Sequence, residues 1–400
     1  MSATSATGWP YAPDRAEITG DIAALSSLTR SSARSGERES ADYVASRLRA
    51  AGVLDVWHEG FRYQHTYTLA HAVHTLPALV AAARGGFAGT AVNLLAWASL
   101  ELEVSGRRQW VRRLLPAGGG VNVLGRIPAR SAPRATVVLV AHHDAANTGV
   151  VWNPRIVAFG ARRRLKRRRF APFMAPLRTA FVLAAAGSLG TSRAANVARG
   201  TGCAVMGLAL AVDADVARSP TVPGASDNAS GVAVILDLAR ALARTPLEHV
   251  EVLILAPGAE EAGMGGMSSF LAAHRARLAQ GNTFVFGLDT LGAGRPILAE
   301  SEGAMAAHHY LEPDLAIVEE GAAIAGERQP ARWRLGAWTD PILAVFAGLP
   351  AASLLSIGPG YFPGYHHPTD VPERVQWQSV ESCARIAAGT LQAISRCYAS

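Results

Sequence analysis

The sequence predicts an α/β fold with a mostly parallel central sheet flanked by helices, and with two inserted apolar helical hairpins. Three observations predict it. Apolar strand-like runs alternate with helix-like runs, acidic and histidine residues stand directly after those strands, and two stretches, 68–103 and 170–217, break the rhythm with almost unrelieved apolar and small residues. Strands alternating with helices are the pattern of βαβ units, and ligands of such sheets bind beyond the carboxyl ends of the strands.

Taken in order, residues 15–52 read as helical, with Ile18, Ile22, Leu25, Tyr43, Val44, Leu48 and Ala51 at helical spacing. Strands are expected at 121–127 and 136–141, with 128–134 as the turn between them. A helix at 231–242 follows a Gly/Ser/Asn-rich turn, and a buried strand at 251–256 comes next. Helix 268–278, strand 283–288, helix 341–347, strand 351–356 and a final helix at 376–395 continue the alternation. Each anomalous stretch looks like two apolar helices joined by a turn, about Arg84-Gly85-Gly86 in the first and around Ser192-Arg193 in the second. The reading is one catalytic domain over 1–400, with insertions at 68–103 and at 150–220.

Composition narrows the class. Of 400 residues, 50% are hydrophobic, enough for one large core. Cys203, Cys383 and Cys397 are far apart and offer neither a disulfide framework nor a thiolate metal site. The formal charge is +7, and the run from Arg162 to Arg169 supplies seven positive charges by itself, so the rest of the chain is neutral. A single basic run without interleaved aromatics is no nucleic-acid surface. Residues 1–20 have no basic start and no apolar core, so a standard secretory signal is not expected.

The chemistry sits at the strand ends. His142-His143-Asp144 follows VVLVA, Asp227-Asn228-Ala229-Ser230-Gly231 follows a turn, Glu260-Glu261 follows EVLILAPGA, Asp289 follows FVFGL, and His366-His367-Pro368-Thr369-Asp370 follows SIGPGYFPGY. Charged groups in such places are costly to desolvate unless paired. Five such sites on one sheet edge gather too much negative charge without a cation, and carboxylate oxygen with neutral imidazole is what zinc accepts.

These motifs, in this order, resemble the M28 zinc peptidases: HxD, SDNASG, EExG, a strand-ending Asp and YHxPxD. The resemblance covers about 18–60, 120–150 and 221–396. It implies two zinc ions, with Asp227 bridging them, His142 and Glu261 on one, and Asp289 and His366 on the other. It implies Asp144 as the partner that orients His142, Glu260 as general base, and a cis peptide bond after Asp227. Two metals about 3.5–4 Å apart lower the pKa of a water and polarise a carbonyl. The implied activity is hydrolysis of peptide or aminoacyl amides, aminopeptidase first among them. The alternatives are a metal-free receptor-like member of the fold and a single-zinc glutaminyl-cyclase-like enzyme.

Two departures matter. His143 and His367 make doublets with the implied ligands, and the family spacing favours His142 and His366. The EExG motif continues as Ala262-Gly263-Met264-Gly265-Gly266-Met267, with methionine where a small polar residue is usual. His308-His309 reads as surface or local packing, and His71 and His74 as satisfied histidines of an apolar helix.

Parity gives the hairpins a membrane reading. His142 precedes the second insertion and Asp227 follows it, so each insertion crosses a bilayer an even number of times or not at all. Arg107, Arg108, Arg112 and Arg113 after the first hairpin, and Arg162–Arg169 before the second, place both ends on the cytoplasmic face. Membrane association with a cytoplasmic catalytic domain is therefore expected, a soluble helical cap being the alternative. Arg178, Asp213 and Asp215 count against full insertion.

Overall fold

The computed structural model describes residue 9 and residues 11–398. The reading of a missing signal rests partly on residues 1–8 and 10, which lie outside the described residues.

Nine strands form one sheet: β1 (Asp55–Tyr63), β2 (Gly118–Ile127), β3 (Ala135–Val140), β4 (Val250–Ala256), β5 (Asn282–Asp289), β6 (Arg295–Glu302), β7 (His308–His309), β8 (Ala331–Arg334) and β9 (Ala351–Ile357). The order is β1-β2-β4-β3-β5-β9-β6-β7, with β8 paired to β6. The four central strands, β4-β3-β5-β9, are parallel. β4 and β9 are wholly buried and mostly apolar, broken by Glu251 in β4 and by Ser353 and Ser356 in β9, as strands covered on both faces tend to be. The flanks are antiparallel, β1 and β2 on one side and β6 on the other.

The expected helix over 15–52 is interrupted: Arg15–Ser26 and Ser35–Ala50 are separate, and residues 27–34 fold back between them. A Cβ on Gly36 would lie 1.8 Å from the Thr29 carbonyl oxygen, so a side chain there is incompatible with this fold-back. Helix Ser230–Arg244 packs on Arg15–Ser26 and Trp377–Cys397, while Gly265–Leu278 packs on β1, β2 and Pro341–Phe346. Ile18, Leu48, Val138, Ile235, Phe286 and Ile386 are among the fully buried residues of the shared core.

The two apolar stretches are helical hairpins that merge into one bundle. Thr68–Arg84, Gly86–Val104, Ala175–Ser188 and Arg193–Arg218 pack on one another around Ala78, Leu100, Phe181 and Met206. Glycines let the backbones approach: a Cβ on Gly202 would lie 2.6 Å from the Ala180 carbonyl oxygen. The His71 ring meets Asp213 at 3.3 Å, and His74 hydrogen-bonds Ala70 O at 2.7 Å and Ser99 Oγ at 2.8 Å, so both histidines are satisfied between helices. Arg178 donates to the Met305 carbonyl at 2.8 Å and ties the bundle to the sheet domain. Outward-facing Leu69, Val73, Leu76 and Val80 leave an apolar stripe on the first helix. Helix Ala175–Ser188, with 14 residues, is short of the ~20 that a perpendicular span needs. Among the described residues, Arg193–Arg218 is the one helix long and apolar enough to cross a membrane, with 22% of its apolar window buried.

Candidate metal centre

The carboxyl ends of β3, β4, β5 and β9 lead into the segments that carry His142, Glu260, Glu261, Asp289 and His366, while Asp227 comes from the turn between helices Arg193–Arg218 and Ser230–Arg244. His142, Asp227, Glu260, Glu261, Asp289 and His366 line one cavity. Asp227 lies at its centre. His142 Nε2 is 3.4 Å from one Asp227 oxygen, and His366 Nε2 is 3.2 Å from the other. His366 Nε2 also lies 3.1 Å from Glu261 Oε2, and His142 Nε2 lies 3.9 Å from Asp289 Oδ2 and 4.0 Å from Glu260 Oε2. His142, Asp227 and Glu261 each place one ligand atom within 4.8 Å of the others, in keeping with the pairing that the resemblance implied. The direct approaches favour the opposite pairing, His366 with Glu261 and His142 with Asp289, and these specific contacts discriminate better than a shared 4.8 Å sphere.

The histidine doublets separate cleanly. His143 turns into the core, its Nε2 2.9 Å from Val121 O and its Nδ1 3.1 Å from Ser40 Oγ, while His142 faces the carboxylates. His367 turns to Thr369 Oγ1 at 2.9 Å, and His366, in a left-handed backbone conformation with φ 49°, points at Asp227. His308 receives a hydrogen bond from Arg107 and stacks on Trp338, away from the carboxylates.

Each site residue is held by backbone contacts. Asp144 accepts the Glu260 N–H at 3.1 Å and the Glu261 N–H at 3.2 Å, receives Ser32 Oγ at 2.6 Å, and lies 3.4 Å from His142 Nδ1. One carboxylate thus sets the imidazole and both glutamates. Asp370 accepts the amides of Ser226 and Asp227 at 2.8 and 3.0 Å. Asn228 bonds Gly231 N, Thr290 N and Leu288 O, joining the Asp227 turn to the end of β5. The Asp227–Asn228 peptide is cis, as expected.

Sequence reasoning missed two residues. Arg30, fully buried in the 27–34 loop, donates to the carbonyls of His143, Asp144, Pro223 and Gly224. Glu37 accepts Ala33 N, Val121 N and Ala259 N at 2.7–2.9 Å. An arginine and a glutamate in a helical-looking surface pattern gave no local sign of this.

The electrostatics are those of crowded acids. Burial drives the Glu260 carboxyl well above its usual range; His142 opposes this, while Asp340, Glu261 and Asp289 add to it. Burial likewise pushes Asp289 up to about 6. Burial works against charging His366, yet Glu261 and Asp227 overcome it and hold the ring's pKa up to about 10. Asp227 is buried too, but its contacts with His142 and His366 keep it well below the ordinary carboxylate range. Among the described residues, Glu261 Oε1 and His366 Nδ1 are buried without a hydrogen-bond partner. Four converging carboxylates, two imidazoles and orphaned ligand atoms fit divalent cations bound by oxygen and nitrogen.

The wider cavity, about 430 Å³, is walled by Trp152, Phe170, Phe173, Met174, Trp338 and Phe362. Its cations are already engaged: Arg112 pairs with Glu103 and donates to Ala262 O, and Arg164 donates to the carbonyls of Val157, Phe159 and Gly360.

A sheet of this order with acidic strand ends and two facing histidines defines the zinc-exopeptidase class of fold. Residues 211–391 match the model of peptidase family M28. Solved structures agree on the fold. An aminopeptidase from Aneurinibacillus sp. strain AM-1 is similar with a TM-score of 0.56 at 15% identity, over 95% of this chain and 93% of that one. A zinc aminopeptidase from Bacillus subtilis gives 0.56 at 15%, over 96% and 95%. A Bacteroides thetaiotaomicron glutaminyl cyclase bound to N-acetylhistamine gives 0.54 at 13%, over 96% and 99%. No curated protein matches the sequence. The family supports a metal-dependent, peptidase-like function and implies zinc.

Proposed function

We propose that the chain is a two-zinc aminopeptidase in which Glu260 is the general base. The observation that carries this is Asp227, whose two carboxylate oxygens each face a different histidine at 3.4 and 3.2 Å. Asp227 would bridge two ions, His142 and Asp289 would complete one set, and His366 and Glu261 the other. When bound, the ions would acidify a water and polarise the scissile carbonyl. Glu260, near His142 but facing neither Asp227 oxygen as the histidines do, would take a proton at Oε2 and hand it to the leaving amine.

Charge favours an amino-terminal substrate. The carboxylates that line the cavity suit an α-amino group, whereas the cavity's arginines are spent on Glu103 and on backbone carbonyls, leaving little to receive an α-carboxylate. The apolar outer faces of the bundle support association with a membrane, with the short helix Ala175–Ser188 favouring a partly embedded bundle over full spans.

The test is turnover by purified, zinc-loaded protein of aminoacyl, N-blocked, dipeptide and N-terminal glutaminyl substrates. Release of free amino-terminal residues is expected. Cyclisation of glutaminyl peptides without hydrolysis, or saturation at one zinc per chain, would overturn this reading in favour of a cyclase-like enzyme.

A further inference from the structure

The segment between the cavity and the helical bundle, 150–173, carries no Asp or Glu. Its inner side is fixed. Val151, Trp152, Val157, Phe170 and Phe173 line the cavity, Phe170 N and Phe173 N donate to the carbonyls of Arg334 and Gly336, and Phe170 stacks on Phe362. Arg164 is the one cation of the run that turns inward, held by three carbonyls and lying 5.2 Å from the Phe170 ring centre. With that side anchored, the other must face outward. Arg162, Arg163, Lys166, Arg167, Arg168 and Arg169 are exposed, and among the described residues none of them has a carboxylate partner. Beside them in the same segment Val150, Ile156, Phe159 and Leu165 are exposed, Phe159 to 84%.

Exposed apolar side chains cost free energy in water, and a cluster of them marks an interaction surface. A purely polyanionic partner, such as nucleic acid, would satisfy the cations and leave Phe159 and Leu165 in water. An anionic bilayer satisfies both, because aliphatic and aromatic groups enter the headgroup boundary while the cations meet lipid phosphates and carboxylates. We propose that residues 154–169 dock the protein on an anionic lipid surface. This surface is distinct from the apolar helices of the bundle, and it stands whether or not the metal centre hydrolyses amides.

The experiment uses the full chain and co-sedimentation with phosphatidylcholine vesicles, with and without phosphatidylserine, followed by hydrogen exchange of the wild-type protein on each. Phosphatidylserine is expected to strengthen binding roughly ten-fold or more at low salt, since each juxtamembrane cation contributes measurably. High salt should remove the gain. Amides of 154–169 should be protected on the anionic vesicles. Replacing Arg162, Arg163, Lys166 and Arg167 with Gln together should abolish the preference for phosphatidylserine, and Phe159→Ser with Leu165→Ser should weaken binding on the same vesicles. Equal binding to both vesicle types, or protection confined to 68–104 and 175–218, would overturn the proposal. So would a charge-dependent binding indifferent to Phe159 and Leu165, since insertion of these side chains is what sets a bilayer apart from a soluble polyanion.

Discussion

The carboxylate of Glu37 accepts the backbone N–H of Ala259 at 2.8 Å, so a residue on the second helix fixes the turn that leads into Glu260. Its other bonds, to Ala33 and Val121, make it a fully buried acceptor of three amides. Glu37→Gln turns one acceptor oxygen into a donor that faces an N–H. A loss of about 1–3 kcal/mol in denaturant unfolding is expected, that being the cost of an unsatisfied buried group. Turnover should fall beyond what the lost folded fraction explains, because the Glu260 backbone is released. Unchanged stability would show that the amides find other partners.

Glu260 and Asp227 should separate under mutation. Glu260→Gln is expected to retain zinc by elemental analysis and to lose about 100- to 10,000-fold in kcat. Asp227→Asn should lose metal before it loses fold. Normal zinc content in Asp227→Asn would remove Asp227 from the bridging role.

Arg30→Lys should behave almost as badly as Arg30→Met. A planar fork reaches the carbonyls of His143, Asp144, Pro223 and Gly224 together, and an ammonium does not reproduce it. The His142–Asp144 and Asp227 segments then lose their common clamp. A zinc affinity weakened about 10- to 100-fold in both variants is the expected reading, as for other groups behind metal ligands.

Glu302 sits away from the metal cluster and gives a pH test of the fold. It is buried, accepts Thr339 N and Oγ1 at 2.7 Å, and burial pushes its carboxyl up to about 8. Its folded pKa lies above the unfolded value of about 4.3, so the native state holds the extra proton across that window. The contribution is present at low pH and is lost as pH rises toward 8. Glu302→Gln, which cannot ionise, should flatten the fall in Tm between pH 5 and 8 relative to wild type, to the extent of about a kcal/mol per unit of pH at most. Parallel curves for the two proteins would show that Glu302 is ionised throughout.

The legible parts of the sequence were those where chemistry and period coincide. The central strands announce themselves as mostly apolar runs with charge after their ends, and Asp227 stands in a Gly/Ser/Asn-rich turn before a helix, which is why His142, Asp227, Glu260, Glu261, Asp289 and His366 could be named; all six line one cavity. β1 was overlooked because its exposed and half-buried residues, Asp55 to Arg62, look like loop composition, as edge strands do. β6 was overlooked for the opposite reason: it carries Glu300 and Glu302 where an apolar strand is expected. The break at 27–34 was invisible because apolar spacing continues on both sides of it. Arg30 and Glu37 act on backbone groups more than eighty residues away as well as nearby, and such bonds leave no spacing rule in the chain. Which histidine pairs with which acid depends on side-chain direction at the strand ends, and no motif order encodes that.

The order in which the site is assembled has a consequence for synthesis. Arg30 and Ser32 precede the site in the chain, yet the last pieces, His366 and Asp370, come near its end, and Asp370 holds the very amide of Asp227. A ribosome-bound chain therefore exposes Glu260 and Glu261 for more than a hundred residues of elongation before the other half of their cage exists. The growing polypeptide can hold at most a partial, weak site during that interval. Loss of only the last thirty-five residues would leave every strand of the sheet but strip one ligand, the Asp227 clamp and the buried helix Trp377–Cys397, so a truncated product is expected to lose both its packed core and its activity.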